Sequence, residues 1–204
     1  MLVMRSPGHC DTIGDLSITG GFVGDAAEAV VLLGDDGTPI GRERKDRVHG
    51  PETPLHLAFS CYGFDAEGRL LVTRRSSAKR AFPGVWTNTC CGHPGPGEFM
   101  ESAIARRLRS ELDVEARTLV CALPTFRYRA ESNGVVENEI CPVYLCRIDG
   151  DPAPAPEEVS RFAWIDWSEY VARARRADSD LSPWTRLQVE QLRRWGLAER
   201  YLTG

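Results

Sequence analysis

The sequence predicts a single α/β (α+β) domain, a mixed β-sheet sandwiched by helices, with extra N-terminal strands and a C-terminal helix. Three observations carry that expectation. Two strand-turn-strand patterns occupy residues 29–75, an amphipathic helix pattern follows at 100–112, and further strand patterns come after it. A chain of 204 residues can bury one good core and is short for two. The expected organisation is an N-terminal extension at 1–26, poorly ordered and rich in Gly, Asp and small residues, and one domain over 27–204.

Taken in order, AVVLLGDDGTPIGRE is a strand, an Asp-Gly turn and a second strand. LHLAFSCYGFDAEGRLLVTRRS repeats the pattern with a longer turn at Asp65 to Gly68. In the helix, Ile104, Leu108 and Leu112 recur four apart with Ala103 beside them, while Glu101, Arg106 and Arg109 take the opposite face. LVCAL with TFRYRA, and then VVENEICPVYLCRI, are the next strands, and the Pro-rich DPAPAPEE is a connector. FAWIDWSEY is a strand running into a short helix. Ser182-Pro183-Trp184 starts a closing helix of about a dozen residues, with Ser182 as N-cap and Leu187, Leu192 and Trp195 on its packed face.

A net charge of −4 argues against a nucleic-acid partner, since phosphate backbones need a basic surface. A small anionic substrate requires only a few well-placed cations. No apolar run approaches the roughly 20 residues of a membrane helix, so no membrane partner is expected. MLVMRSPGHCDTIGD has no apolar stretch suited to secretion, and the cytoplasm is the expected compartment. Nothing fixes an oligomeric state, and a monomer is compatible with the sequence. The seven cysteines, Cys10, Cys61, Cys90, Cys91, Cys121, Cys141 and Cys146, are odd in number and lack framework spacing, which predicts free thiols.

Strand alternation sends Glu137 and Glu139 to one face, roughly 7 Å apart between Cα atoms. That face continues through Cys141, Val143 and Leu145, where two carboxylates repel unless a cation lies between them or one holds a proton. His49, His56 and His93 lie in ordered-looking segments, and imidazole with carboxylate suits a divalent ion. Their spacing by itself is no zinc signature. A second feature is GHPGPGEFMESAIARRLRSELDV. Its glycine, Glu98, Arg106 and Glu111 keep the frame of the Nudix box, a loop and helix that hold Mg²⁺ on a diphosphate. Arg107 and Ser110 stand where the hydrolase pattern has glutamates, and Asp113 replaces a glycine. One surviving carboxylate is poorly equipped to activate a hydrolytic water.

From about Glu28 to Trp195 the chain resembles the type I isopentenyl diphosphate isomerases. The likeness is densest in HGPETPLHLAFS, VTRRSSAKRAFPGVWTNTCCGHP, FRYRA, ENEICPV and LSPW. It implies a Nudix-like fold and a metal site of His49, His56, His93, Glu137 and Glu139, holding Mn²⁺, Mg²⁺ or Zn²⁺. It implies Cys91 and Glu139 as catalytic residues, with Tyr128 as the glutamate's hydrogen-bonding neighbour, and Glu111 as ligand of a Mg²⁺ carried on the substrate diphosphate. Lys45, Arg75, Lys79 and Arg107 match diphosphate-facing cations, and Trp184 an aromatic wall of the isoprenyl pocket. The implied partner is a small isoprenyl diphosphate. The implied reaction moves the double bond of isopentenyl diphosphate to give dimethylallyl diphosphate, without flavin. The lack of a dinucleotide glycine fingerprint is consistent with that.

Such a reaction protonates an unactivated alkene to a tertiary cation and removes a proton from the neighbouring carbon. It needs an acid, a base on the other face of the substrate, an aromatic wall and exclusion of water. The rival readings are a Nudix diphosphate hydrolase and a catalytically silent metal- or ligand-binding module.

Overall fold

The computed structural model describes residues 29–203. The extension expected at 1–26, and Cys10 within it, lie outside the described residues. The first hairpin forms as expected from β1 (Ala29–Leu33) and β2 (Pro39–Arg44). One helical turn that the periodicity did not signal, α1 (Lys45–Val48), then leads to His49.

The expected strand LHLAFS changes sheet midway. β3 (His56–Leu57) pairs with β1, whereas β4 (Phe59–Phe64) belongs to a second sheet and pairs with β5 (Leu70–Arg75). VVENEICPVYLCRI does the same, which corrects the expectation of one continuous strand. β10 (Val135–Ile140) lies parallel to β3 in the first sheet, and β11 (Val143–Asp149) parallel to β4 in the second. The break falls at Cys141-Pro142, where proline has no N–H for a ladder and restricts the residue before it. Ala58 N–H donates to Ile140 O at 2.9 Å and Ser60 N–H to Pro142 O at 3.0 Å, so the two crossings run side by side.

With β9 (Arg127–Ser132) the first sheet has the order β2-β1-β3-β10-β9. The second has the order β12-β5-β4-β11-β8, with β8 at Glu115–Leu123 and β12 at Val159–Ile165. Two short strands join it, β6 (Trp86–Thr87) on β5 and β7 (Cys90–Gly92) on β4.

Because β4 and β11 are covered on both faces, their sequences are nearly continuous apolar runs. Phe59, Cys61, Tyr144 and Cys146 face α2 (Met100–Leu112), which inserts Ala103, Ile104, Leu108 and Leu112. Tyr62, Phe64, Val143 and Leu145 face α3 (Trp167–Arg175), α4 (Pro183–Arg194) and α5 (Leu197–Thr203). α2 ends on Asp113, whose φ of 56° is the left-handed cap conformation that glycine favours; its N–H meets the carbonyls of Leu108 and Arg109.

Two details of the closing helix are corrected. Its packed face is Trp184, Thr185, Gln188, Val189 and Leu192, whereas Leu187 and Trp195 are exposed, and α5 follows it. Ser182 makes no side-chain cap, because its hydroxyl is turned to Thr87 Oγ1 at 3.0 Å. The six described cysteines are free thiols. No helix among the described residues is long and apolar enough to cross a membrane.

Candidate active site

Sheet register explains the centre of the site. Glu139 stands opposite His56 on one side and Tyr128 on the other, so three neighbouring strands present them as one row. Tyr128 donates its phenol proton to Glu139 Oε2 at 2.8 Å. His93 Nε2 lies 3.0 Å and His56 Nε2 3.4 Å from Glu139 Oε1, and His49 Nε2 lies 3.2 Å from Glu137 Oε2. One donor atom from each of His49, His56, His93, Glu137 and Glu139 falls within 4.8 Å of all the others.

These atoms fit a cation better than they fit one another. His49 Nε2 is buried and forms no hydrogen bond despite its closeness to Glu137, since the approach is badly angled. His56 Nδ1 donates to Pro54 O at 2.9 Å, which leaves Nε2 as the lone-pair nitrogen of the neutral ring, aimed at His93 Nε2 3.2 Å away and at Glu139. Burial opposes a charge on His56, yet the hydrogen bond and charge of Glu139 outweigh it and raise its pKa. Burial dominates at His93 and depresses it to about 3. Burial, then repulsion from Glu139, raises Glu137; at Glu139 itself burial is overcome by the two histidines, and the carboxyl is held well below its usual range. A cation among neutral imidazoles relieves all of these conflicts together.

Twelve of the thirteen residues singled out in the sequence border one cavity of about 610 Å³; the thirteenth, His56, lies buried behind it. His49, His93, Glu137, Glu139 and Tyr128 line it, as does Cys91 from β7. The Cys91 thiol is pushed up to about 11 by burial, against hydrogen bonds to Ser60 and Asn88 that lower it. Lys45, Arg75, Lys79, Arg107 and Glu111 gather at another part of the rim.

Trp184 is 2% exposed and is fixed from several sides. Its N–H reaches Thr87 Oγ1 at 3.1 Å, Phe82 meets its ring edge-on at 5.1 Å, and the Arg75 guanidinium sits 5.7 Å over it. Arg75 also donates to the carbonyls of Ala81 and Phe82, so one side chain links the cationic rim to the aromatic wall. Gly92, between Cys91 and His93, has to be glycine. A Cβ there would lie 2.9 Å from Arg107 Cγ and 3.0 Å from Phe59 Cζ. The loop before α2 is tied by Glu98, which accepts from Gly95 N–H and pairs with Arg106, whose NH2 reaches His93 O.

Among the cavity residues that escaped the sequence, Glu158 bears most directly on the cations. Glu158 pairs with Lys79 and with Arg107, and Arg107 also contacts Glu111. The available signal was charge: a cationic cluster needs counter-anions, and Glu157-Glu158 stand at the end of the Pro-rich connector.

The fold and the site define a NUDIX-domain protein, and residues 54–187 match the NUDIX domain model. Solved structures agree on the fold. DR0079 from Deinococcus radiodurans superposes with a TM-score of 0.63 at 20% identity, covering 80% of this chain and 98% of that one. A MutT protein from Methanosarcina mazei Go1 gives 0.56 at 17%, covering 71% and 96%.

Similarity of sequence goes further. Isopentenyl-diphosphate Delta-isomerase of Saccharopolyspora erythraea is 56% identical over 166 residues, covering 81% of this chain and 86% of its own. The proteins of that name from Frankia alni and Mycolicibacterium vanbaalenii are 52% and 51% identical, covering 88% and 86% of this chain and 91% and 97% of their own. The chain belongs to the isopentenyl-diphosphate Delta-isomerase family.

Proposed function

We propose that this enzyme converts isopentenyl diphosphate to dimethylallyl diphosphate by protonation and deprotonation through a tertiary carbocation, and that it works in the cytoplasm. The observation that carries the chemistry is that Cys91, Glu139 with its Tyr128 partner, and Trp184 all border the cavity whose rim carries Lys45, Arg75, Lys79 and Arg107. In the forward direction the Glu139-Tyr128 pair gives the proton and Cys91, in its thiolate form, takes one to become the thiol; the reverse reaction starts from the thiol and exchanges these roles. Burial, then the charge of Glu139, raises the Tyr128 phenol well above its ordinary value, while Glu139 stays a carboxylate. The proton of the resting pair is therefore on the phenol oxygen. Trp184 offers its ring face to the carbocation, worth about 2 kcal/mol in a desolvated site. The rim cations hold the diphosphate and keep the reacting carbons away from water.

A divalent ion, Mn²⁺, Mg²⁺ or Zn²⁺, held by His49, His56, His93, Glu137 and Glu139, together with a Mg²⁺ shared by Glu111 and the diphosphate, would supply positive charge at the acid and at the diphosphate end of the substrate. Hydrolysis is disfavoured by α2 itself, where Arg107 and Ser110 replace acids and Glu111 is engaged by Arg107. The test is incubation of purified protein with Mg²⁺ and isopentenyl diphosphate in heavy water. Dimethylallyl diphosphate carrying deuterium is expected. Phosphate or pyrophosphate released without isomer refutes the proposal. Cys91→Ala should lower kcat by about 10³-fold, within the range for a lost acid-base group, and Cys90→Ala far less. Equal losses would overturn the choice between the two cysteines.

A further inference from the structure

Behind Cys91 lies a buried polar network that the acid-base assignment does not use. Tyr62 OH donates to Gln188 Oε1 at 2.8 Å, and Gln188 Nε2 donates to Ser60 Oγ at 2.9 Å. Tyr62, Gln188 and Ser60 are each fully buried. Ser60 Oγ then lies 3.3 Å from Cys91 Sγ and 3.4 Å from Cys141 Sγ. On the other side of Cys91, Asn88 Oδ1 is 3.2 Å from the sulfur, and Asn88 Nδ2 donates to the carbonyls of Cys61 and Cys90.

Donor and acceptor counting orients Asn88. Both acceptors of Asn88 Nδ2 are backbone carbonyls, so the amide can be placed only one way round, and its oxygen faces the Cys91 S–H. Gln188 bridges the Tyr62 phenol and the Ser60 hydroxyl, its Oε1 toward Tyr62 and its Nε2 toward Ser60 in the structure. A hydroxyl has two lone pairs and one proton. Ser60 Oγ accepts from Gln188 Nε2 and lies within hydrogen-bond reach of both Cys141 Sγ and Cys91 Sγ, contacts in which either the hydroxyl or the thiol can donate. Register places the bond, because Ser60 pairs with Cys91 across β4 and β7.

We infer that Ser60 is a positioning residue for Cys91, its hydroxyl held against the sulfur by a buried hydrogen-bond chain from Tyr62 through Gln188. This inference rests on the isomerase reading, since it assigns Ser60 a part in that turnover. The sulfur is held between the Ser60 hydroxyl and the Asn88 amide oxygen, and this fixes its rotamer against the cavity. Tyr62 influences the reaction without touching it.

The experiment is steady-state isomerisation by the wild type, Ser60→Ala, Gln188→Met, Tyr62→Phe and the Ser60→Ala/Tyr62→Phe pair, each checked for folding by thermal melting. Ser60→Ala should lower kcat on the order of tenfold to a hundredfold, as expected for a hydrogen bond to a reacting group, with KM changed less than about twofold. Gln188→Met and Tyr62→Phe should lower kcat by successively smaller factors. Tyr62→Phe should cost at least about threefold alone and almost nothing once Ser60 is alanine, because its effect travels through that hydroxyl. Packing alone would lower melting temperature while leaving kcat and KM near wild type. Ser60→Ala with kcat within twofold of wild type overturns the inference, as does a Tyr62→Phe effect that multiplies in full on Ser60→Ala. If Ser60→Ala fails to fold, Tyr62→Phe with unchanged kcat overturns it. A wild type that makes no isomer refutes the isomerase reading, and this inference falls with it.

Discussion

Lys45 offers a quantitative test of the cationic rim. It lines the cavity, and partial burial followed by repulsion from Arg107 and Lys79 lowers its pKa to about 8. The charged form is therefore lost as pH rises through about 8. A bound diphosphate favours that charge and raises the pKa, so binding takes up a proton and affinity falls with rising pH. With a free pKa near 8 and a bound pKa above 9, affinity falls by about tenfold from pH 7 to pH 9. Much of the side chain is exposed, and solvent screening discounts this to about three- to tenfold. The assay is calorimetric titration with isopentenyl diphosphate at fixed Mg²⁺ and ionic strength, at half-unit pH steps. Lys45→Met is titrated in parallel, so that ionisation of the ligand cancels in the ratio. That ratio should favour wild type at pH 7 and shrink toward pH 9. A ratio constant across this range would refute a titrating Lys45 at the diphosphate.

Gly92→Ala should destabilise by about 1–3 kcal/mol through overpacking, because its Cβ meets Phe59 and Arg107; a denaturant midpoint at the wild-type value would contradict the close approach. Asp113→Gly should leave activity intact and raise stability by up to about 1 kcal/mol by relieving the left-handed cap, and a lower melting temperature would refute that account. Chelation should lower the melting temperature. An ion present at 100 times its dissociation constant contributes about 2.7 kcal/mol, or roughly 5–10 °C for a domain of this size. An unchanged melt, with no metal by elemental analysis, would count against the His/Glu centre.

The sequence carried more of the site than of the path between its parts. Alternation along VVENE placed Glu137 and Glu139 on one face, because a strand admits only two. The alternation holds through Cys141, Val143 and Leu145, which pack in one cluster with Tyr128, but period-two patterning is blind to a strand that leaves its sheet. Pro142 was the local sign. Segment 76–99 gave no periodic signal. Its backbone is held by side chains instead, as where Thr73 donates to the Asn88 and Thr89 carbonyls and Thr89 to Leu71 O. Strands of two and three residues such as β6 and β7 cannot display a period. In α4 and at its C-cap, the exposed Leu187 and Trp195 attracted an assignment that the polar but buried Thr185 and Gln188 in fact own. The lesson there is physical: a hydrogen-bonded interior rewards polar side chains that a hydrophobic pattern counts as surface.

The double crossing, β3 to β4 beside β10 to β11, also bears on how this architecture could be re-engineered. Glu139 rides on one sheet and Cys91 on the other, so main-chain hydrogen bonds at Ala58 and Ser60 set how the backbones that carry them are spaced. Grafting the histidines, the glutamates and the cysteine onto another scaffold of this type would transfer the ligands without transferring the ruler. A transplant that retains the Ala58-Ile140 and Ser60-Pro142 bonds would carry the spacing with it.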